Sequence, residues 1–197
     1  FDADGMIVAV RVVGDYNVGA YVTPSAGVPP MFFTFLMSGV YDIPSVAVTT
    51  RCRYTNTNGT APYRGAGRPE AAYLLERLIE IGAKEMGMDA ISIRRKNLVK
   101  SDQMPYQTAL IYAYDSGEFE KLMDEAMEKA NWSGFASRRQ QSESDGKLRG
   151  IGLSSYLEGA APFNERMEIR FDPGGTVTVI AGTHSHGQGH ETVYSQM

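Results

Sequence analysis

Ala61-Pro-Tyr-Arg-Gly-Ala-Gly-Arg-Pro-Glu-Ala-Ala72 divides the chain into two kinds of sequence. Extended, β-rich segments precede it, and the longest helical pattern of the chain follows it. Gly65, Ala66 and Gly67 leave a surface almost bare of side chain, so a ligand can approach the backbone closely. Arg64 and Arg68 flank that surface with fixed positive charge. Pro69 suits the first turn of a helix, where its missing N–H costs nothing, and Glu70 suits the positive end of the helix dipole. A bare, arginine-flanked loop running into a helix is a place for an anion or an anionic cofactor. A plain tight turn into a surface helix fits the same residues.

Upstream, Asp4-Gly5 is a turn signal. Met6–Val13 and Gly14–Thr23 each read as a strand. Pro24–Pro30 is a proline-rich loop. Met31–Gly39 is apolar throughout and fits either a short helix or a buried strand. Ser45–Tyr54 returns to strand character, and Thr55–Thr60 are turn formers. Downstream, Pro69–Met86 places Leu74, Leu75, Leu78, Ile79, Gly82, Ala83 and Met86 on one helical face, with Gly87 as its stop. Asp89 can cap a second helix through about Asn97. Ser101–Ala113 reads as a loop around Pro105. Ser116 can cap a third helix, Glu118–Ala130, whose apolar face is Phe119, Leu122, Met123, Ala126 and Met127. Ser133–Arg139 adds a further helical turn or more. Gln140–Lys147 is polar and reads as a linker. Leu148–Leu157 reads as a strand, and Glu165–Phe171 and Thr176–Ala181 alternate around the turn Asp172-Pro-Gly-Gly175, which makes a hairpin. The expected fold class is α+β, with mixed strands packed against three to four helices. Two subdomains are expected, 1–140 and a truncated 148–197, joined by a linker at 141–147.

Composition narrows the classes. Hydrophobic content of 43% and charged content of 21% are ordinary for a chain that buries a core. A net charge of −4 without a long basic run argues against a nucleic-acid partner. The single cysteine, Cys52, excludes an internal disulfide and a cysteine-rich metal cage. It suits a reducing compartment, and a cytoplasmic location is expected. Pro24, Pro29 and Pro30 break the longest apolar stretch, so no membrane-spanning helix is expected. Phe1 leads straight into strand character and Met197 stops a helical pattern soon after it begins, which leads us to expect a piece of a longer polypeptide.

All three histidines, His184, His186 and His190, fall in one short stretch. Imidazole is a common metal ligand, so a histidine metal module is one reading. An exposed polar loop is a second. The third starts from Gly187 and Gly189, whose small size lets backbone amides face a ligand. Gln188 brings a side-chain donor and acceptor, and His190–Gln196 begins a helix whose free amides favour an anion. A strand, a bare loop and a helix start make a phosphate or pterin cradle.

Tyr63-Arg-Gly-Ala-Gly-Arg-Pro-Glu-Ala71 resembles a loop of the large subunits of the molybdenum hydroxylases, the family of xanthine dehydrogenases, aldehyde oxidases and aerobic carbon monoxide dehydrogenases. Gly187-Gln-Gly-His-Glu-Thr192 resembles the family's glycine-glutamine-glycine cofactor loop. Arg94-Arg-Lys-Asn97 and Tyr114-Asp-Ser-Gly117 are similar to the family as well, and the order is kept along nearly the whole chain. The resemblance makes Met31–Gly39 a helix. It implies that Arg64, Gly65, His186, Gly187, Gln188, Gly189, His190, Glu191 and Thr192 contact a molybdopterin cofactor. It puts Ala66 and Gly67 at the substrate pocket. By analogy with the carbon monoxide dehydrogenase-like branch, the expected cofactor is molybdopterin cytosine dinucleotide. Carbon monoxide dehydrogenases proper carry a copper-holding cysteine where this chain has Gly65, which puts copper chemistry in doubt; Cys52 is read as a small strand residue.

The resemblance implies hydroxylation of an aldehyde or aromatic heterocycle with oxygen from water. Electrons leave through iron–sulfur clusters and FAD on partner subunits or domains, in a homodimer of heterotrimers acting on a small-molecule substrate. The family's catalytic glutamate motif finds no match here, so no catalytic residue is assigned within this span, and Glu158 and Glu191 are not substitutes. The chain by itself is expected to be inactive. Two other classes remain at this level: the histidine-cluster metal-binding module, and a non-catalytic structural domain.

Overall fold

The computed structural model describes residues 1–158 and 165–197. They form two compact units, Phe1–Leu157 and Glu158–Met197. Helices and short strands mix in the order β1 (Val10–Gly19), α1 (Val28–Phe35), β2 (Val46–Tyr54), α2 (Arg68–Met86), α3 (Ala90–Asn97), β3 (Tyr106–Gln107), β4 (Ala113–Tyr114), α4 (Phe119–Lys129), α5 (Phe135–Ser144), β5 (Glu168–Phe171), β6 (Val177–Ile180) and α6 (His190–Gln196). The fold is α+β, as the sequence pattern indicates.

In the first unit β1 and β2 pair in parallel, with Val10 opposite Val46 and Tyr16 opposite Cys52. The two strands read from Met6–Val13 and Gly14–Thr23 are one strand. Gly14 is a plausible break in sequence, yet its bare Cα is covered by the rings of Phe33 and Tyr16, each 4.0 Å from where a Cβ would stand. α1 begins earlier than expected, inside the proline-rich stretch. Pro29 and Pro30 occupy its first turn, where no intrahelical N–H is needed.

α2 is the spine of this unit. It buries Ala71, Leu75, Glu76, Ile79 and Ala83, and Gly87 ends it in the left-handed conformation. Leu78, expected on the same face, is 42% exposed because the stripe is narrower than the apolar pattern suggests. Asp89 caps α3 by accepting from the Ser92 amide. Against α2 and α3 pack Ile7, Val10, Val12, Phe33, Met37, Tyr41 and Ile43. Asn97 staples the N-terminal segment to this core: its side chain accepts from the Ile7 amide at 2.7 Å and donates to Gly5 O at 2.8 Å.

Arg94 is the largest fully buried side chain. It meets Glu76 at 2.9 Å and Glu80 at 2.7 Å, and the Tyr41 hydroxyl donates to the other Glu76 oxygen at 2.5 Å. Burial and the adjacent Glu76 carboxylate both push the Tyr41 hydroxyl up from its ordinary value, so it stays a donor. Burial opposes the charge on Arg94, but Glu76, Tyr41 and Glu80 together outweigh it and the guanidinium stays protonated.

Several local expectations change. The loop Ser101–Ala113 contains a 3-10 turn, Ser101–Gln103, and the two-residue ladder β3–β4. Ser116 does not cap α4; it donates to Asp115, and Glu118 stands at the cap position, its carboxylate accepting from Lys121 and not from a helix amide. Of the α4 face only Met123 is buried, and Leu122 is 66% exposed. The polar stretch Gln140–Lys147 is helical to Ser144, held by Arg139–Glu143 and Gln141–Asp145 pairs one turn apart. Residues 148–157 are not a strand. Among the described residues no strand forms a ladder with them; Leu153 and Leu157 pack onto the core, and Arg94 donates to Leu153 O at 3.3 Å.

The second unit is a hairpin and a short helix. β5 and β6 pair antiparallel from Glu168 opposite Ile180 to Phe171 opposite Val177, and the Gly175 amide closes the turn onto Asp172 O. The stretch 159–164, within the expected second subdomain, lies outside the described residues.

Candidate functional site

The candidate residues lie in two loops, one in each unit. In the first unit, the loop before α2 carries Arg64, Gly65, Ala66 and Gly67. Its backbone is unusual: φ is +101° at Gly65, +42° at Ala66 and +97° at Gly67. Three successive residues in the left-handed region demand small side chains, and a non-glycine there is uncommon. Sterics explain the glycines. A Cβ on Gly67 would stand 2.0 Å from Pro29 O and 2.7 Å from the Phe33 amide nitrogen. A Cβ on Gly65 would stand 2.8 Å from the Pro69 ring. The loop is therefore pressed onto the start of α1. Gly65 and Gly67 are buried, Ala66 is half-buried, and Arg64 and Tyr63 are exposed. Arg68, which the sequence pattern offered only as a flanking charge, lays its guanidinium 4.6 Å over the Phe32 ring and donates to Gly65 O.

In the second unit, the loop after β6 runs from Gly182 to Gly189 and enters α6 at His190. Gly187 and Gly189 adopt φ of +98° and +81°. A Cβ on Gly189 would meet nothing within 4 Å, so the space beside that turn is open. Gln188 shapes the loop from inside. Its Oε1 accepts from the His186 amide at 2.7 Å, and its Nε2 donates to His184 O at 2.8 Å. Both ends of this amide are thus engaged within the loop, and its oxygen keeps a second lone pair for a further donor. His184 and His186 stack with ring centroids 6.4 Å apart, and His190 stacks on Tyr194 at 5.0 Å. Glu191 and Thr192 are exposed on the first turn of α6.

Glu165, far from this loop in sequence, also reaches it. It accepts from the Thr183 hydroxyl, and this bond holds its carboxyl below the usual glutamate value. Among the described residues no group of three His, Cys, Asp or Glu side chains could hold a metal ion. The histidine-module reading therefore gains no support from the geometry. Cys52 is exposed on β2. Among the described residues no helix is long and apolar enough to cross a membrane.

Comparison with known proteins decides the family. Residues 1–98 match one molybdopterin cofactor-binding domain and residues 125–197 match a second. The chain belongs to the large-subunit family of the molybdenum hydroxylases. It is 33% identical to the carbon monoxide dehydrogenase large chain of Hydrogenophaga pseudoflava, over 98% of this chain and 26% of that one. It is 30% identical to the 6-hydroxypseudooxynicotine dehydrogenase complex subunit gamma of Paenarthrobacter nicotinovorans, over 100% of this chain and 25% of that one. The structure of quinoline 2-oxidoreductase from Pseudomonas putida 86 superposes with a TM-score of 0.80 at 27% identity, covering 100% of this chain and 27% of that one. The chain thus spans about a quarter of the length of the relatives it matches. What it contributes is molybdenum-cofactor-binding domain.

Each loop, taken by itself, offers chemistry that suits such a group. A pterin with its phosphate extension is planar, polar and anionic. It needs backbone that can come close and positive charge that does not crowd it. In the second loop the exposed left-handed glycines 187 and 189, with open space beside Gly189, meet the first need; in the first loop the exposed Arg64 meets the second, while Gly65 and Gly67 are turned into the protein, against Pro69 and the start of α1.

Proposed function

We propose that this chain is part of the large subunit of a molybdenum hydroxylase-type oxidoreductase that hydroxylates aldehydes or heterocycles, and that it forms part of the cofactor wall. The observation that carries the reading is the pair of left-handed glycine loops, one before α2 and one before α6, at the two motifs that match the family. Arg64, Gly65, His186, Gly187, Gln188, Gly189, His190, Glu191 and Thr192 hold the cofactor, and Ala66 and Gly67 border the substrate. The cofactor is molybdopterin cytosine dinucleotide. When bound, it would supply the redox and oxygen-insertion chemistry. The residues of this chain bind and orient it, and Arg64 offsets its negative charge. The catalytic base lies outside this span. Residues 1–140 belong to the first cofactor-binding subdomain and 148–197 to the second, with 141–147 joining them.

Iron–sulfur and FAD subunits are the proposed partners, in a homodimer of heterotrimers in the cytoplasm. The names of the relatives, which include a large chain and a complex subunit gamma, support a multi-subunit enzyme. Copper has no place in this reading. Gly65 has no sulfur, and its φ of +101° together with the Pro69 ring leaves no room for a side chain that could bring one.

The test is molybdenum content and acid-released nucleotide on the full-length protein carrying this sequence. About one molybdenum and one CMP per chain support the reading. Loss of both in Arg64→Ala and Gln188→Ala assigns the two loops. Neither molybdenum nor CMP, from a host that makes the cofactor, rejects the reading and leaves the structural-domain alternative.

A further inference from the structure

We infer that Arg68 is a positioning residue that locks the Gly65–Gly67 loop into its left-handed conformation. The loop holds an energetic conflict. Ala66 carries a side chain at φ +42°, a region that L-residues enter at a cost, between two glycines that cannot accept a Cβ at all. Such backbone persists only where its surroundings over-determine it. Two of the restraints come from one residue. The Arg68 amide donates to Gly65 O at 3.1 Å, and its guanidinium returns to the same oxygen at 3.4 Å. The guanidinium is itself held in place by stacking 4.6 Å over Phe32, a buried residue of α1. Arg68 therefore ties the loop carbonyl to the helix against which Gly67 is already pressed. A lysine has the charge but neither the planar face nor the fork, so it cannot stack on Phe32 and reach Gly65 O in the same way. Arg68 acts on the ligand through the loop and is not assigned a contact with it.

The functional consequence rests on the cofactor reading above; the clamp itself does not. The experiment is amide hydrogen exchange on the full-length protein and its Arg68→Met and Arg68→Lys variants, with molybdenum and CMP measured on the same preparations. In Arg68→Met the amides of residues 66 and 68 should exchange about tenfold faster, as befits loss of one hydrogen bond to a charged group, while those of Ile79 and Ala83 keep their protection. Arg68→Lys should fall between, and cofactor occupancy should decline in the same order. Unchanged exchange at residues 66 and 68 in Arg68→Met overturns the inference, whatever the molybdenum content. So does acceleration that extends equally through Ile79 and Ala83, because that marks an ordinary structural contact. Wild-type protein lacking molybdenum rejects the cofactor reading, and the exchange data still decide the clamp.

Discussion

The two units differ in what holds them together. The first buries a continuous apolar cluster around α2 and α3, with Arg94, Glu76 and Tyr41 sealed inside it. In the second, every residue of β5 and β6 is exposed, including Phe171 at 79% and Ile169 at 59%. A two-stranded hairpin with both faces in water is marginal at best, whereas a helix packed over a core sustains itself. The first unit thus carries a buried core, whereas among the described residues the hairpin of the second leaves its apolar side chains in water.

The sharpest way to break that contrast is at Arg94. Arg94→Met strands the Glu76 carboxylate in the core and should cost about 3–5 kcal/mol, read as a lowered urea midpoint. A loss below about 1 kcal/mol would mean that the network is solvated like a surface pair. Asp89→Ala removes the cap of α3 and should cost about 1 kcal/mol in the same assay. Phe171→Ala in the hairpin should change the midpoint by no more than about 0.5 kcal/mol, the range of surface substitutions. A larger loss would show that the hairpin shares the cooperative core.

The smallest effect is a pH dependence of the first unit. Lys100 and Arg95 hold the Glu120 carboxyl below its ordinary value of 4.5. A depressed carboxylate contributes stability above its unfolded-state value and loses it as pH falls through the folded value. Stability should therefore decline slightly from pH 5 downward, and Glu120→Gln should flatten that slope without moving the neutral-pH midpoint far.

Part of this molecule was legible in sequence. The left-handed stop at Gly87, the cap at Asp89 and the turn at Asp172–Gly175 all follow from chemistry within a few residues. The pattern failed where a neighbour decided. Gly14 sits inside a strand because β2 pairs with it, placing it opposite Thr50, and 148–157 form no ladder with any strand among the described residues. Ser116 lost its capping role because α4 starts later. The glycine loops were visible as motifs, but their left-handed backbone and the part played by Arg68 were not.

By itself, then, the sequence determined the α+β class, the bounds of α2 and α3, the hairpin and the family, since short-range propensity and ordered motifs encode these directly. Only the tertiary structure decided that β1 and β2 run in parallel, that Glu76 and Arg94 pair inside the core, and that Asn97 fastens the N-terminal segment. Each of those depends on residues far apart in the chain, where no local period records which partner the folded core brings within reach.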